Sequence, residues 1–157
     1  MAGKEAKKSV LFVCYANYCR SPIAEAVFVD LVAKRGLTNE WNVDSAAISD
    51  WHLGKLPDER GRSVLQSHGI TTQHRARLLT EDDFERFDYI FGMDNGNMMD
   101  LAEIKPPGSK AKLETLAVLD PQGLRDVRDP YHEGKEGFER VYQQCVRCLE
   151  CFLENVQ

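Results

Sequence analysis

One short segment combines a cysteine and an arginine at a spacing that can bind and attack a phosphate. Five residues separate Cys14 from Arg20, and Ser21-Pro22 follows directly. The backbone amides of such a loop can converge on an anion, and the start of a following helix adds roughly half a positive charge there. This setting favours the thiolate form of Cys14, and a planar guanidinium can hold two phosphate oxygens. The spacing therefore predicts nucleophilic attack on phosphorus.

A chance pairing is the alternative to this interpretation. Cys14 would then be a buried cysteine at a strand end and Arg20 a surface arginine, and these two residues alone do not decide. The flanking segments favour the chemical interpretation. An apolar run of strand length at 10–13 precedes the loop, and Ser21-Pro22 is typical of a helix start, with serine as the N-cap and proline in the first helical position.

A phosphocysteine intermediate requires a carboxylic acid that protonates the leaving oxygen. Three aspartates follow predicted strands or lie in loops on the same side of the domain, namely Asp94, Asp120 and Asp129. Asp120 and Asp129 each precede a proline, which holds the preceding residue extended. Spacing does not choose between them, and each is also a common turn residue. The hydroxyl of Ser21 is placed to stabilise the thiolate when the intermediate breaks down.

The rest of the chain alternates strand and helix patterns, which must position these groups. Besides 10–13, strands are predicted at 41–47, 89–93 and 113–119, and helices at 22–35, 57–68, 95–104 and along a stripe of apolar residues at 138–156, with a brief helical turn after Thr80. This alternation predicts a three-layer α/β domain with a four-stranded parallel sheet. Ligands are expected at the carboxyl ends of its strands.

Composition limits the class of protein. The 157 residues suit one domain, 1–157, in which residues 1–8 are predicted to be a flexible tail. A formal charge of −5 without a basic block argues against nucleic-acid binding. A membrane helix needs about 20 apolar residues, and no stretch has them; no secretory signal is recognisable either. The sequence therefore predicts a cytoplasmic protein with free thiols. Cys145, Cys148 and Cys151 fall on a predicted helix and are expected to be structural thiols.

Many segments resemble the low-molecular-weight protein tyrosine phosphatases, especially the animal cytosolic type. The loop at 13–22 resembles their phosphate loop, and the likeness covers nearly the whole chain. It is carried further by VDSAA at 43–47, PD at 57–58 with RG at 60–61, HGI at 68–70, FDYI at 87–90, MD at 93–94, DPY at 129–131 and VYQQCVRC at 141–148.

The resemblance implies the flavodoxin-like fold of phosphotyrosine phosphatase I type, without cofactor or metal. It implies hydrolysis of phosphotyrosine proteins and small aryl phosphates, as in an acid phosphatase, with inorganic phosphate released. Cys14 would be the nucleophile, Arg20 the clamp of the transition state, and Asp129 the general acid and then the base. The phosphate loop would also include Tyr15, Ala16, Asn17, Tyr18, Cys19 and Ser21, braced by Ser45 and His74, with Trp51 and Tyr131 as walls for the substrate ring. Cys19 is further implied to form a reversible disulfide with Cys14.

Three positions depart from the family pattern and predict altered substrate preference. Ala16 replaces the usual glycine, Trp51 stands where the aromatic residue varies between family members, and His132 replaces an aromatic residue after Tyr131. Two other functions stay open. An arsenate reductase would need further relay cysteines, and none occurs between Cys19 and Cys145. A phosphotyrosine-binding module without turnover is hinted at only by Ala16.

Overall fold

The computed structural model describes residues 7–156 as a three-layer α/β domain, as predicted. Its strands are β1 Lys8–Cys14, β2 Trp41–Ala47, β3 Tyr89–Gly92 and β4 Lys112–Thr115, and its helices are α1 Ser21–Lys34, α2 Glu59–Ser67, α3 Asp83–Arg86, α4 Asn95–Ile104 and α5 Gly134–Asn155. Short 3-10 helices cover Thr38–Glu40 and Leu116–Leu119.

The four strands form one parallel sheet in the order β2-β1-β3-β4. Side chains of β1 alternate between two apolar clusters. Val10 and Phe12 face α1 and α5, whereas Leu11 and Val13 face the layer that contains α3 and α4. Helices therefore cover β1 on both faces, which explains its uninterrupted apolar sequence. The loops after β1 and β3 lie side by side at the carboxyl edge, where the strand order reverses and such sheets bind ligands.

Most predicted boundaries are confirmed within one or two residues. The prediction of a strand at 113–119 is wrong in its second half, because β4 ends at Thr115 and Leu116–Leu119 forms a 3-10 turn. β4 is an edge strand that pairs with β3 alone, and Thr115 opposes Gly92, the last residue of β3. Beyond that pair the chain has no ladder partner, so it turns inward and buries Leu116.

Two helix starts also differ from the prediction. Ser21 is not the N-cap of α1, since Arg20 occupies that position and Ser21 is the first helical residue. Helix α2 begins at Glu59, and the carboxylate of Asp58 caps it by accepting a hydrogen bond from the Arg60 amide. At the amino terminus β1 already begins at Lys8, whereas residues 1–6 of the predicted tail lie outside the described residues.

Helix α5 follows the predicted stripe. Its core-facing side buries Phe138, Val141, Cys145, Leu149 and Phe152. All five cysteines are free thiols, as predicted, and Cys148 is buried on the same helix. Within residues 7–156 no helix is long and apolar enough to cross a lipid bilayer.

Candidate active site

At the end of the loop between β1 and α1, Ser21 directs two polar groups at the sulfur of Cys14. The Ser21 hydroxyl oxygen lies 3.0 Å from Cys14 Sγ, and the Ser21 amide points at the same sulfur from 3.4 Å. Asn17 Nδ2 donates to Ser21 Oγ at 2.8 Å, which leaves the hydroxyl hydrogen of Ser21 free to point toward the sulfur. Ser21 therefore contacts the sulfur of Cys14 instead of capping the helix.

Asn17 shapes the loop. Its φ of 53° makes it the one non-glycine residue in 7–156 with a left-handed backbone, a conformation that asparagine tolerates better than most residues. Its amide nitrogen also donates to Ser45 Oγ at 2.9 Å. Its amide oxygen lies 2.7 Å from His74 Nε2 and accepts from the Arg77 amide at 3.2 Å. The buried Asn17 side chain thus uses both donors and both acceptor positions.

Behind Asn17, His74 and Glu25 form a hydrogen-bonded pair. Because Asn17 Oδ1 can only accept, His74 Nε2 carries a hydrogen. His74 Nδ1 then lies 3.1 Å from Glu25 Oε1, which also accepts a hydrogen bond from Ser45 Oγ at 2.6 Å. Burial raises the pKa of Glu25 to about 7 and lowers the pKa of His74. Both directions favour a protonated Glu25 that donates to His74 Nδ1.

The same pair belongs to a cluster with metal-ligand chemistry. Ligand atoms of Glu25, Asp44 and His74 lie within 4.8 Å of one another. These atoms are already engaged, however, since Glu25 binds Ser45 and His74, and Asp44 pairs with Arg77 at 3.0 Å. The contacts of this cluster therefore support the loop between β1 and α1 through Ser45 and Asn17.

Arg20 connects the phosphate loop to two other segments. Its Nη1 donates to Asp94 Oδ2 at 2.7 Å and to the Val127 carbonyl at 2.9 Å. Asp94 is itself fixed as the N-cap of α4, where its Oδ1 accepts from the Asn97 amide. Burial alone would lower the pKa of Arg20, but Cys14 and Asp94 outweigh it and raise that pKa, so the guanidinium stays charged. Its Nε and Nη2 make no hydrogen bond to residues 7–156.

A cavity of about 370 Å³ opens above this loop. It is lined by Cys14, Tyr15, Ala16, Cys19, Arg20, Trp51, His52, Asp129, Tyr131 and His132. The structure thus brings the predicted nucleophile, clamp and acid to one space. Asp129 Oδ1 accepts from the Tyr131 amide at 3.1 Å. Asp120, the alternative acid, is not among these lining residues; its buried side chain pairs with Arg147.

Aromatic side chains form the rim of the cavity. Trp51 is 71% exposed and meets the Tyr15 ring edge-on at 5.2 Å. Tyr18 turns away and stacks on His52, with ring centroids 3.8 Å apart. His52 itself lines the cavity. Ala16 does not have a positive φ, so its methyl group meets no left-handed strain.

Sequence reasoning gave no role to Glu25 and Val127 and considered Asp94 only as an acid. Glu25 stands four residues after Ser21, so the two lie on one face of α1. This spacing was the one sequence feature that could have indicated that Glu25 faces the same side as the loop. Asp94 precedes Asn97 by three residues, the spacing of an N-cap and the amide it binds. Nothing in the sequence indicates that Arg20 binds the Val127 carbonyl.

Known proteins resemble this chain over nearly its full length. A sequence model of the family "Low molecular weight phosphotyrosine protein phosphatase" matches residues 9–157. A Homo sapiens protein of that name is 50% identical in an alignment of 156 residues that covers 97% of this chain and 98% of the human one. The crystal structure of Primo-1 is 46% identical with a TM-score of 0.90 and covers 96% of this chain and 99% of its own. DARP, described as a Drosophila arginine phosphatase, is 38% identical with a TM-score of 0.89 over 94% of this chain and 97% of its own.

Proposed function

The chain belongs to the low molecular weight phosphotyrosine protein phosphatase family, and we propose that it hydrolyses phosphotyrosine and small aryl phosphates through a phosphocysteine intermediate. The observation that carries this proposal is the cavity lined at once by Cys14, Arg20 and Asp129. The exposed rings of Trp51 and Tyr131 at its rim suit a flat aromatic substrate.

In the first step the Cys14 thiolate attacks phosphorus, so that an S–P bond forms while the bond from phosphorus to the aryl oxygen breaks. Asp129 gives its proton to that leaving oxygen. Nε and Nη2 of Arg20 hold two equatorial oxygens of the phosphoryl group as charge develops on them. In the second step the Asp129 carboxylate takes a proton from water, water attacks phosphorus, and the S–P bond breaks. Inorganic phosphate leaves, and Ser21 stabilises the returning Cys14 thiolate.

Turnover of aryl phosphates by single variants tests these roles. Cys14→Ser is expected to lose turnover by at least about 10³-fold, since the covalent step disappears. Asp129→Ala is expected to lose about 10²- to 10⁴-fold with phenyl phosphate and much less with p-nitrophenyl phosphate, whose leaving group needs little protonation. Asp126→Ala is the matched control, because Asp126 is an exposed aspartate three residues away in the same loop. Unchanged turnover in Cys14→Ser would refute the mechanism.

Three other activities are outcomes of a parallel assay. One peptide is prepared with phosphotyrosine and with phosphoarginine, because a structural relative is described as an arginine phosphatase. Faster release of phosphate from the phosphoarginine peptide would reassign the substrate class. Arsenate-dependent thiol oxidation would indicate a reductase, and tight binding of the phosphopeptide without turnover would indicate a binding module. No interaction with nucleic acid is expected.

A cytoplasmic location and redox control of the site complete the proposal. The five free thiols suit a reducing compartment. Burial raises the pKa of the Cys19 thiol, so peroxide is expected to oxidise Cys14 first, to a sulfenic acid. The Cys19 sulfur then attacks the Cys14 sulfur, a disulfide forms and water leaves. Activity lost to peroxide should return with dithiothreitol. In Cys19→Ser the sulfenic acid cannot form this disulfide, so excess peroxide should oxidise it further to the sulfinic acid, and dithiothreitol should restore less activity.

A further inference from the structure

The segment Pro57-Asp58-Glu59-Arg60-Gly61 has no part in the chemistry described above. Two of its charged residues, Asp58 and Arg60, nevertheless form a closely fitted ion pair at the start of α2. Arg60 Nε donates to Asp58 Oδ1 at 3.0 Å, and Arg60 Nη2 donates to Asp58 Oδ2 at 2.9 Å. Asp58 is 5% exposed and also caps α2. Two parallel hydrogen bonds to a buried carboxylate fix the plane of the guanidinium.

The remaining nitrogen of Arg60 reaches across to another loop. Nη1 donates to the carbonyl oxygen of Tyr131 at 2.9 Å, and the guanidinium also lies over the rings of Tyr131 and Phe138, at 5.3 and 4.6 Å. Gly61 permits close packing of α2 against the Phe138 ring, since a Cβ there would lie 3.2 Å from Phe138 Cδ1. Arg60 therefore holds Tyr131 by its backbone and by its ring.

The pair is joined to both halves of the active site. On one side the Asp58 amide donates to the carbonyl of Tyr18 in the phosphate loop at 3.0 Å. On the other side Tyr131 donates its amide hydrogen to Asp129 Oδ1. An unbroken series of hydrogen bonds thus runs from the phosphate loop through Asp58, Arg60 and Tyr131 to the carboxyl group that acts as the acid.

A second ion pair near Asp129 does not provide this connection. Glu133 binds Arg128 and Arg140 at 2.9 and 2.8 Å. All three residues belong to the acid loop, which we define as residues 120–133 around Asp129, or to α5, which directly follows it. These ion pairs hold the acid loop against α5. They do not fix the distance between Asp129 and the phosphate loop, which depends on other contacts.

We infer that Arg60 is a positioning residue, which acts through Tyr131 to hold the carboxyl group of Asp129 at the leaving oxygen of a phosphate bound by the phosphate loop. The inference rests on the proposed function, in which Asp129 is the acid. A displacement of the acid by about 1 Å can cost on the order of 100-fold in rate. The cost falls on substrates whose leaving oxygen must be protonated, and it nearly vanishes for leaving groups that depart as stable anions.

The test uses Arg60→Lys and Arg60→Gln, with Arg62→Lys as the matched control. Arg62 lies on the same helix and donates to the Pro57 carbonyl, away from the acid loop. Lysine at 60 keeps the positive charge but cannot bind Asp58 and the Tyr131 carbonyl with a fixed fork. Each substitution is made both in the parent chain, which has Asp129, and in the Asp129→Ala variant. The turnover number is then measured for aryl phosphates of decreasing leaving-group acidity. Urea unfolding identifies any variant that does not fold, and the other Arg60 variant then carries the comparison.

Both Arg60 variants are expected to lose about 10- to 100-fold in kcat with phenyl phosphate and less than about threefold with p-nitrophenyl phosphate. In the Asp129→Ala background neither should cause a further loss, because there is no acid left to position. An equal loss for every leaving group, or a loss that multiplies with that of Asp129→Ala, would overturn the inference and leave the proposed function intact. Absence of any leaving-group dependence in Asp129→Ala itself would overturn both.

Discussion

Replacing Glu25 by glutamine tests the hydrogen-bond network behind the phosphate loop. Glu25 Oε1 accepts from Ser45 and faces Nδ1 of His74, and Asp44 and Arg77 are the charged groups nearest to the pair. A glutamine there can accept from Ser45 and donate to His74 after a small rotation. The variant therefore keeps both hydrogen bonds but has no proton to lose.

The expected effect on stability follows from the pKa of Glu25. Burial raises this pKa from 4.5 to about 7, so the folded protein holds the proton more tightly than the unfolded chain does. The contribution of protonated Glu25 to the free energy of unfolding is complete below about pH 4.5 and is lost as the pH rises through about 7. At 1.36 kcal/mol per pKa unit, this rise corresponds to at most about 3 kcal/mol. The pKa of His74 is lowered and acts in the opposite direction, so we expect a net loss of about 1 to 3 kcal/mol between pH 5 and pH 8.

The free energy of unfolding is measured in urea at pH 5, 6, 7 and 8 for the parent chain and for Glu25→Gln. The parent should lose stability relative to the variant over this range, and phosphatase activity of the variant should persist at pH 8. Glu103→Gln, at an exposed site on α4, controls for the removal of one acidic group. Parallel pH profiles for the parent and Glu25→Gln would refute the reasoning, because no proton would then be shared between Glu25 and His74.

Three further changes probe the loop and its support. Asn17→Ala should lower the free energy of unfolding by about 2 to 4 kcal/mol and should also lower turnover. The buried hydrogen bonds of Asn17 are lost, and alanine tolerates the left-handed backbone less well. In the same urea and kinetic assays, Asn17→Gly should recover only the part of the loss that comes from the backbone conformation. Ala16→Gly should cost about 0.4 to 1 kcal/mol in urea unfolding through the unfolded chain, and a change in kcat of more than about twofold would contradict this structure of the loop. Arg147→Leu should destabilise the protein by about 2 kcal/mol in urea, since the buried Asp120 carboxylate loses its ion pair; an unchanged midpoint would show that Asp120 does not depend on Arg147.

The sequence allowed prediction of those features that are set by local patterns. The strand Trp41–Ala47 and the helix Asn95–Ile104 have the predicted bounds, because hydrophobic periodicity and turn residues determine both. The 3-10 turn at Leu116–Leu119 was not predictable in this way, because it depends on where the neighbouring strand β3 ends. Ser21 was misassigned as a cap since its hydroxyl has a partner, Cys14, that lies seven residues away across the loop.

The segment that carries Asp129 shows why the remaining part of the site could not be predicted. Residues 120–133 contain neither helix nor strand, so no periodic pattern describes them. Their position is set by distant partners: the Val127 amide donates to the Met93 carbonyl, the Val127 carbonyl accepts from Arg20, and Gln144 donates to the carbonyl of Asp126.

These contacts also bear on how a chain with a formal charge of −5 binds a phosphate. The guanidinium of Arg20 has one nitrogen fixed between Asp94 and Val127, and its Nε and Nη2 make no hydrogen bond to residues 7–156. A buried guanidinium that is held on one side keeps its orientation without help from the substrate, so little ordering is needed when a phosphate arrives. Because Val127 lies two residues before Asp129, the contact that orients Arg20 also constrains the segment that carries the proposed acid. In the proposed mechanism, the orientation of the clamp and the position of the proton donor therefore depend on the same hydrogen bond, from Arg20 Nη1 to the Val127 carbonyl.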